Sequence, residues 1–208
     1  MPQPMTYLRE TASQTAGPYV HIGLAPGAAG FRIFDGELGA DIAGPNAAGE
    51  RIAVEGLVLD GTGTPVRDVL IEVWQANAAG IHASPIDGRH GEVEDGFRGW
   101  GRVISDFDTG LYRFETVKPG AVAGRGGRMM APHLSLWIVA RGINIGLSTR
   151  LYFSDEAEAN ASDPVLNLIE QPRRRPTLIA AREDRDGTPV YRLDIRLQGD
   201  DETVFFDV

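Results

Sequence analysis

The chain has 208 residues, of which 42% are hydrophobic and 24% charged, so it is long enough for one well-buried core and has an ordinary soluble composition. Its formal net charge of −9 argues against nucleic acid as a partner, because binding to phosphates requires a basic face. The absence of cysteine excludes disulfides, thiolate metal sites and a cysteine nucleophile.

Residues 1–50 are predicted to form a loop-rich N-terminal arm without a targeting signal. The opening residues lack a basic segment followed by an apolar stretch, which a signal peptide would show. Residues 26–30 and 44–49 are rich in glycine, proline and alanine and are typical of loops, while residues 31–34 are expected to pair briefly as a strand or to pack. We therefore expect a cytoplasmic protein in which the arm precedes a β-sandwich domain, residues 51–208.

From residue 51 the sequence is typical of short β-strands separated by tight turns. The 26 glycines and 13 prolines favour such turns over a helical bundle. The alternation of apolar and polar residues is clearest over residues 191–197. There the side chains expected to face the core are Tyr191, Leu193, Ile195 and Leu197. The predicted strands are residues 51–60, 66–74, 101–106, 111–117, 133–139, 147–153, 191–197 and 203–208. This spacing predicts an all-β fold, an antiparallel β-sandwich.

One region, residues 155–182, is predicted to be helical and to form a short insertion between strands. Asp155 and Glu158 have the spacing of a capping box. Pro164 and Pro172 are expected to divide the region into short pieces, because proline lacks the backbone donor that a helix interior needs.

The four histidines are the residues most suited to bind a metal, but their spacing in the sequence does not predict a metal site. His21, His82, His90 and His133 are scattered, and no two are separated by two or four residues. A mononuclear site needs three or four converging ligands, so each histidine is more simply a surface or packed residue. The sequence also contains no nucleotide-binding or nucleophile-elbow motif.

Several motifs in combination resemble the intradiol ring-cleavage dioxygenases. They are SQTAGPY at 13–19, LIEVWQAN at 70–77, FDTG at 107–110, TVKPG at 116–120, APH at 131–133, LYF at 151–153 and YRLDI at 191–195. Residues 17–24 and 140–144 resemble in particular the iron-free chain of two-chain members of this family. The resemblance implies a β-sandwich of the intradiol dioxygenase type and O2-dependent cleavage of 3,4-dihydroxybenzoate to 3-carboxy-cis,cis-muconate.

The same resemblance assigns the four iron-ligand positions of the family to His82, Val122, His133 and Ser135. Catalytic chains of the family hold Fe(III) with two tyrosines and two histidines. On a strand, residues two apart share a face, so His133-Leu134-Ser135 corresponds to a His-x-His pair that has lost its second imidazole. Valine has no donor atom and serine is a poor ligand. The resemblance therefore implies a vestigial site that binds no metal.

The resemblance further implies a partner, a homologous beta chain that carries the Fe(III), with alpha–beta pairs assembled into a larger oligomer. Thr15, Gly17, Pro18 and Tyr19 then line a cleft shared with that chain, and Arg141 lies near the substrate carboxylate. A guanidinium fork suits a carboxylate. No residue of this chain alone is expected to be catalytic. Without the resemblance, a turn would explain Gly17–Tyr19, and a surface salt bridge would explain Arg141.

Two other functions remain open at this point. One is a non-catalytic β-sandwich interaction subunit, because a fold alone does not define a function. The other is a self-contained metalloenzyme that uses His82 and His133 with divergent ligands.

Overall fold

The computed structural model describes residues 14–36 and 39–207, and most of its regular structure is β-strand. Two α-helices are present in these residues, α1 (Tyr19–Leu24) and α2 (Ala157–Ser162), together with short 3-10 turns at His90–Glu92, Arg125–Gly127, Leu166–Leu168 and Pro172–Leu178. The strands are β1 (Arg51–Leu59), β2 (Leu70–Trp74), β3 (Trp100–Ile104), β4 (Leu111–Val117), β5 (Val122–Ala123), β6 (Met129–Met130), β7 (His133–Val139), β8 (Leu147–Phe153), β9 (Ile179–Arg185), β10 (Thr188–Arg192) and β11 (Ile195–Arg196). Within the described ranges no helix is long and apolar enough to cross a membrane.

Nine strands form one continuous sheet, in which the order is β11-β1-β10-β9-β8-β7-β2-β3 and β4 pairs with β1. Strands β5 and β6 form a separate pair. Most neighbours are antiparallel, but β1 runs parallel to β10 and β11, and β8 runs parallel to β9. The sheet is therefore mixed rather than wholly antiparallel. Parallel pairing requires a long connection, and the segment that contains α2 supplies it between β8 and β9.

The two halves of this sheet cover one hydrophobic core, as a sandwich requires. One half is β4–β1–β10 and the other is β8–β7–β2–β3. Buried side chains from both halves belong to the same cluster, among them Val54, Phe114, Tyr191, Ile71, Leu134 and Leu151. Ile42 of the arm is fully buried in this cluster as well. The outer face of β2, β3, β7 and β8 is thereby left to carry the polar and aromatic side chains described below.

The helical prediction for residues 155–182 was only partly right. The helix α2 and the two 3-10 turns end at Leu178, and Ile179–Arg185 forms strand β9 instead. A hairpin joins β9 to β10 through Asp186 and Gly187, both of which have positive φ, 51° and 82°. Such an Asp-Gly turn is a strong hairpin signal. The predicted capping box is absent, because α2 has no side-chain cap and the Asp155 carboxylate accepts hydrogen bonds from Lys118 and Tyr191.

Two strand predictions in the C-terminal region were wrong in detail, and so was the prediction for residues 31–34. The predicted strand 191–197 is divided, because the Asp194 carboxylate accepts the Leu57 backbone N–H at 3.0 Å in place of a regular ladder bond. Residues 203–207 make an isolated bridge between Phe206 and Ser148, and residue 208 lies outside the described residues. Residues 31–34 form no strand and expose their side chains.

Candidate functional site

The four positions that the resemblance aligns with iron ligands lie close together, and we call His82, Val122, His133 and Ser135 the vestigial metal site. His133 and Ser135 are two residues apart on β7 and share its outer face. Ser135 pairs in register with Trp74, and the His82 ring stacks on the Trp74 ring, with centroids 5.7 Å apart and planes inclined by 8°. Val122 lines a cleft of about 500 Å³ together with His82 and Trp74.

The donor atoms of the vestigial metal site do not fit the ferric ion that the family uses. Val122 presents only hydrocarbon, and a neutral serine hydroxyl is a poor ligand for a hard trivalent ion. Within residues 14–36 and 39–207, no group of three or more histidine, cysteine or acidic side chains is arranged to hold a metal. We therefore assign no chemical step in this chain to a metal.

His133 is held as a neutral, buried ring. Its Nδ1 lies 2.7 Å from the Ala131 carbonyl oxygen, and since a carbonyl only accepts, Nδ1 carries the proton of the neutral ring. Burial, and then the positive charge of Arg150, lowers the pKa of His133 to about 4. Burial likewise lowers the pKa of His82, although the neighbouring Asp87 carboxylate opposes that shift. Both rings are therefore uncharged at neutral pH.

A second cluster of predicted site residues forms where the arm reaches the loop after β7. Ala16 makes a β-bridge with Arg141. The Gly142 backbone N–H donates to the Thr15 hydroxyl at 2.7 Å, and the Ala16 N–H donates to the Ile143 carbonyl oxygen at 3.3 Å. The structure thus brings Thr15 and Arg141 together, although they are far apart in the sequence.

The other three predicted arm residues lie at the start of helix α1. Pro18 is the N-cap residue of α1, whose first residue is Tyr19. The Tyr19 side chain is 79% exposed. A Cβ atom added at Gly17 would meet no other atom of the described residues within 4 Å. Within the described part of the chain, Pro18 and Tyr19 are therefore exposed and Gly17 is half-buried.

Arg141 is exposed and only partly engaged. Its Nε donates to Asp68 Oδ2 in an ion pair, and its side chain is 59% exposed whereas that of Asp68 is 10% exposed. Arg141 follows the end of β7, whereas His133 begins it, so the seven residues of the strand separate them by roughly 20 Å. The structure therefore does not bring Arg141 to the vestigial metal site.

Comparisons with known proteins agree with this architecture. A model of the dioxygenase family matches residues 35–199. The protocatechuate 3,4-dioxygenase alpha chain of Pseudomonas putida is 54% identical over 204 residues, which cover 98% of this chain and 99% of that relative. The chain belongs to the intradiol dioxygenase family. A more distant relative of this intradiol dioxygenase chain is the protocatechuate 3,4-dioxygenase beta chain of Burkholderia cepacia. It is 36% identical, and the match covers 74% of this chain and 67% of that beta chain.

A solved structure shows the same fold. The dioxygenase domain of a dioxygenase carbohydrate-binding protein fusion from Streptomyces sp. SirexAA-E aligns with a TM-score of 0.55 and covers 94% of this intradiol dioxygenase chain and 97% of its own chain. Because its identity is 18%, this likeness concerns the fold alone. The predicted all-β sandwich of the intradiol dioxygenase type is thereby confirmed.

Sequence reasoning about this intradiol dioxygenase chain missed Arg150, which lies beside the vestigial metal site. It pairs in register with Ser135 across β7 and β8. Its Nη1 donates to the Tyr152 hydroxyl at 3.2 Å and approaches the Met130 sulfur at 3.4 Å. A signal was present, because Arg150 and Tyr152 are two apart on a correctly predicted strand and therefore share a face.

Proposed function

We propose that this chain is the alpha subunit of a protocatechuate 3,4-dioxygenase that belongs to the beta-ketoadipate pathway of aromatic compound catabolism. The enzyme adds both atoms of O2 to 3,4-dihydroxybenzoate and breaks the bond between its hydroxyl-bearing carbons, which yields 3-carboxy-cis,cis-muconate. The observation that carries this proposal is the loss of metal donors at Val122 and Ser135 in a chain that retains the family fold. A cytoplasmic location suits the catabolism of an aromatic acid.

The Fe(III) of this enzyme is proposed to be held by a homologous beta chain, and alpha–beta pairs assemble into a larger oligomer. When bound there, the iron makes the catecholate reactive towards O2. An exposed apolar surface on the arm supports a protein partner, because isolated soluble chains rarely leave neighbouring large apolar side chains uncovered. Its members are Phe31 at 51%, Ile33 at 66% and Phe34 at 52% exposure, and Tyr19, elsewhere on the arm, is 79% exposed.

The proposed role of this chain is to position the substrate and to exclude water from the partner's iron. Thr15, Gly17, Pro18 and Tyr19 line the shared cleft, and Arg141 receives the substrate carboxylate. Asp68 engages only Nε of Arg141, so the Nη atoms are available to a bidentate carboxylate. Asp68 is then a positioning residue that holds the guanidinium plane.

Separate and joint purification of the two chains tests this proposal. Alone, this chain is expected to bind no stoichiometric ferric iron, to be colourless and to consume no O2 with protocatechuate. Co-purified with an iron-bearing beta chain, it is expected to give about one iron per pair, tyrosinate-to-iron charge-transfer absorption and one O2 consumed per substrate. Stoichiometric iron and turnover by a verified homomer of this chain would instead favour a self-contained metalloenzyme.

Replacement of Gly17 by valine tests the contribution of the arm. Because a Cβ atom there meets none of the described residues, thermal unfolding of the variant should match that of the wild type. In the complex, the added side chain should intrude on the shared cleft and lower kcat/KM for protocatechuate by about tenfold or more, which corresponds to about 1.4 kcal/mol.

Gly23→Val is the matched control for this variant. It also adds a side chain to the arm at a glycine without close neighbours, and it lies outside the predicted cleft residues. Its kcat/KM should stay near that of the wild type. Unchanged turnover in Gly17→Val would favour an interaction subunit with no part in catalysis.

A further inference from the structure

A cavity of about 780 Å³ lies on the outer face of β2, β3, β7 and β8, next to the vestigial metal site. Ser135 of that site is part of its lining. Indole rings form much of its wall, and strand pairing explains why they converge: Trp74 pairs in register with Trp100, and Trp137 follows Ser135 by two residues on the same face of β7. Trp74 and Trp137 are 38% and 41% exposed, so the rings are open to a ligand.

Arg150 lines this cavity as a half-buried cation without an ionic partner among the described residues. Toward the described residues only its Nη1 makes hydrogen bonds, and both acceptors are uncharged, the Tyr152 hydroxyl and the Met130 sulfur. Guanidinium groups that are removed from water normally pair with an anion, because an unpaired charge in an apolar setting is costly. Nε and Nη2 of Arg150 are thus available to a ligand.

The carboxylates of the described side chains around the cavity form no ion pair with Arg150. Glu72 accepts hydrogen bonds from Arg102 Nε at 3.1 Å and Nη2 at 2.7 Å. Asp163 is fully buried and accepts from the Tyr152 hydroxyl and from the backbone N–H groups of Ala131, Val165 and Leu166. Asp207 is exposed to solvent. A second arginine of the lining, Arg125, is also exposed and adds positive charge at the rim.

We propose that this cavity is a binding site for a small aromatic carboxylate. Arg150 binds the carboxylate group of the ligand, and the indoles of Trp74 and Trp137 flank its aromatic ring. The proposed anion site thus lies next to the positions that hold a cation in other family members. The difference has a simple physical basis: Val122 and Ser135 remove the donors that attract a metal, and the guanidinium of Arg150 repels one. The site belongs to this chain alone and does not depend on the partner's iron.

Calorimetric titration of the purified full chain with benzoate tests this proposal, with benzyl alcohol as the uncharged analogue. Wild-type chain is expected to bind one benzoate, and benzyl alcohol at least tenfold more weakly. Arg150→Met should weaken benzoate binding at least tenfold and leave benzyl alcohol binding unchanged. Arg150→Lys should retain part of the affinity, because it keeps the charge but loses the planar fork.

Arg173→Met is the matched control, because it removes an exposed arginine from the 3-10 turn Pro172–Leu178, away from the cavity lining. Its benzoate affinity should equal that of the wild type. No benzoate binding by the wild type, equal affinities for benzoate and benzyl alcohol, or an affinity unaltered by Arg150→Met would each overturn the proposal. Should Arg150→Met fail to fold, the comparison of the two ligands on wild-type chain still decides it. If benzoate binding is disproved, the proposed role of this chain at the partner's iron is unaffected, because that role does not use this cavity.

Discussion

In the complex with the iron-bearing beta chain, Arg141→Ala is expected to raise the KM for protocatechuate by about 10- to 100-fold. This follows because a charged hydrogen bond contributes roughly 1.5–3 kcal/mol, and each 1.4 kcal/mol is about tenfold in binding. The KM for catechol, which has no carboxylate, should change much less. Steady-state O2 uptake with both substrates measures the difference. An equal loss on both substrates would remove the carboxylate-binding role.

Asp68→Asn distinguishes this role from that of a surface ion pair. If Arg141 served only to pair with Asp68, both variants would lower stability by similar amounts and neither would discriminate between the substrates. If Arg141 binds the substrate carboxylate, Asp68→Asn leaves the guanidinium in the cleft, and the KM for protocatechuate should rise far less than in Arg141→Ala. Because the Asp68 side chain is only 10% exposed, both variants should also lower stability, and thermal unfolding measures that loss separately from KM.

Gly56→Ala is expected to abolish folding of the chain. A Cβ atom at Gly56 would lie 1.8 Å from the Leu193 carbonyl oxygen and 2.7 Å from its carbon, and these are backbone atoms. These atoms cannot shift easily, because hydrogen bonds hold residue 193 on both sides. The Tyr112 hydroxyl donates to the Leu193 carbonyl oxygen at 2.5 Å, and the Leu193 N–H donates to the Glu55 carbonyl oxygen at 3.0 Å. A loss of about 4 kcal/mol or more is a large part of the 5–15 kcal/mol that stabilises a typical domain.

Soluble yield and thermal unfolding followed by circular dichroism measure this effect. Gly91→Ala is the matched control, because a Cβ atom there has no neighbour within 4 Å and the backbone φ is not positive. It should unfold within a few degrees of the wild type. A soluble Gly56→Ala variant with a wild-type melting temperature would contradict this prediction. It would show that β1 and the backbone of residue 193 can move apart to accommodate a Cβ atom.

Local residue patterns were sufficient to predict β7 and β8, whose observed bounds equal the predicted ones. Alternation of Leu134, Leu136 and Ile138 with more polar neighbours predicts which face of β7 is buried, because successive side chains on a strand point to opposite sides. The resemblance assigns Val122 and Ser135 to iron-ligand positions, and that neither residue is a good metal donor follows from its type alone. Strand spacing predicted the β-sandwich, and the family motifs then specified its intradiol dioxygenase type.

Long-range contacts determine the features that these patterns did not predict. The break before β11 depends on Asp194 accepting a hydrogen bond from Leu57, and the contact between Thr15 and Gly142 joins the arm to the loop after β7. Arg150 looks like any strand arginine until the neighbouring strands show that no carboxylate reaches it among the described residues. Residue types thus define which donor atoms and charges this chain presents. Strand pairing defines where they meet, because pairing joins residues that lie far apart in the chain.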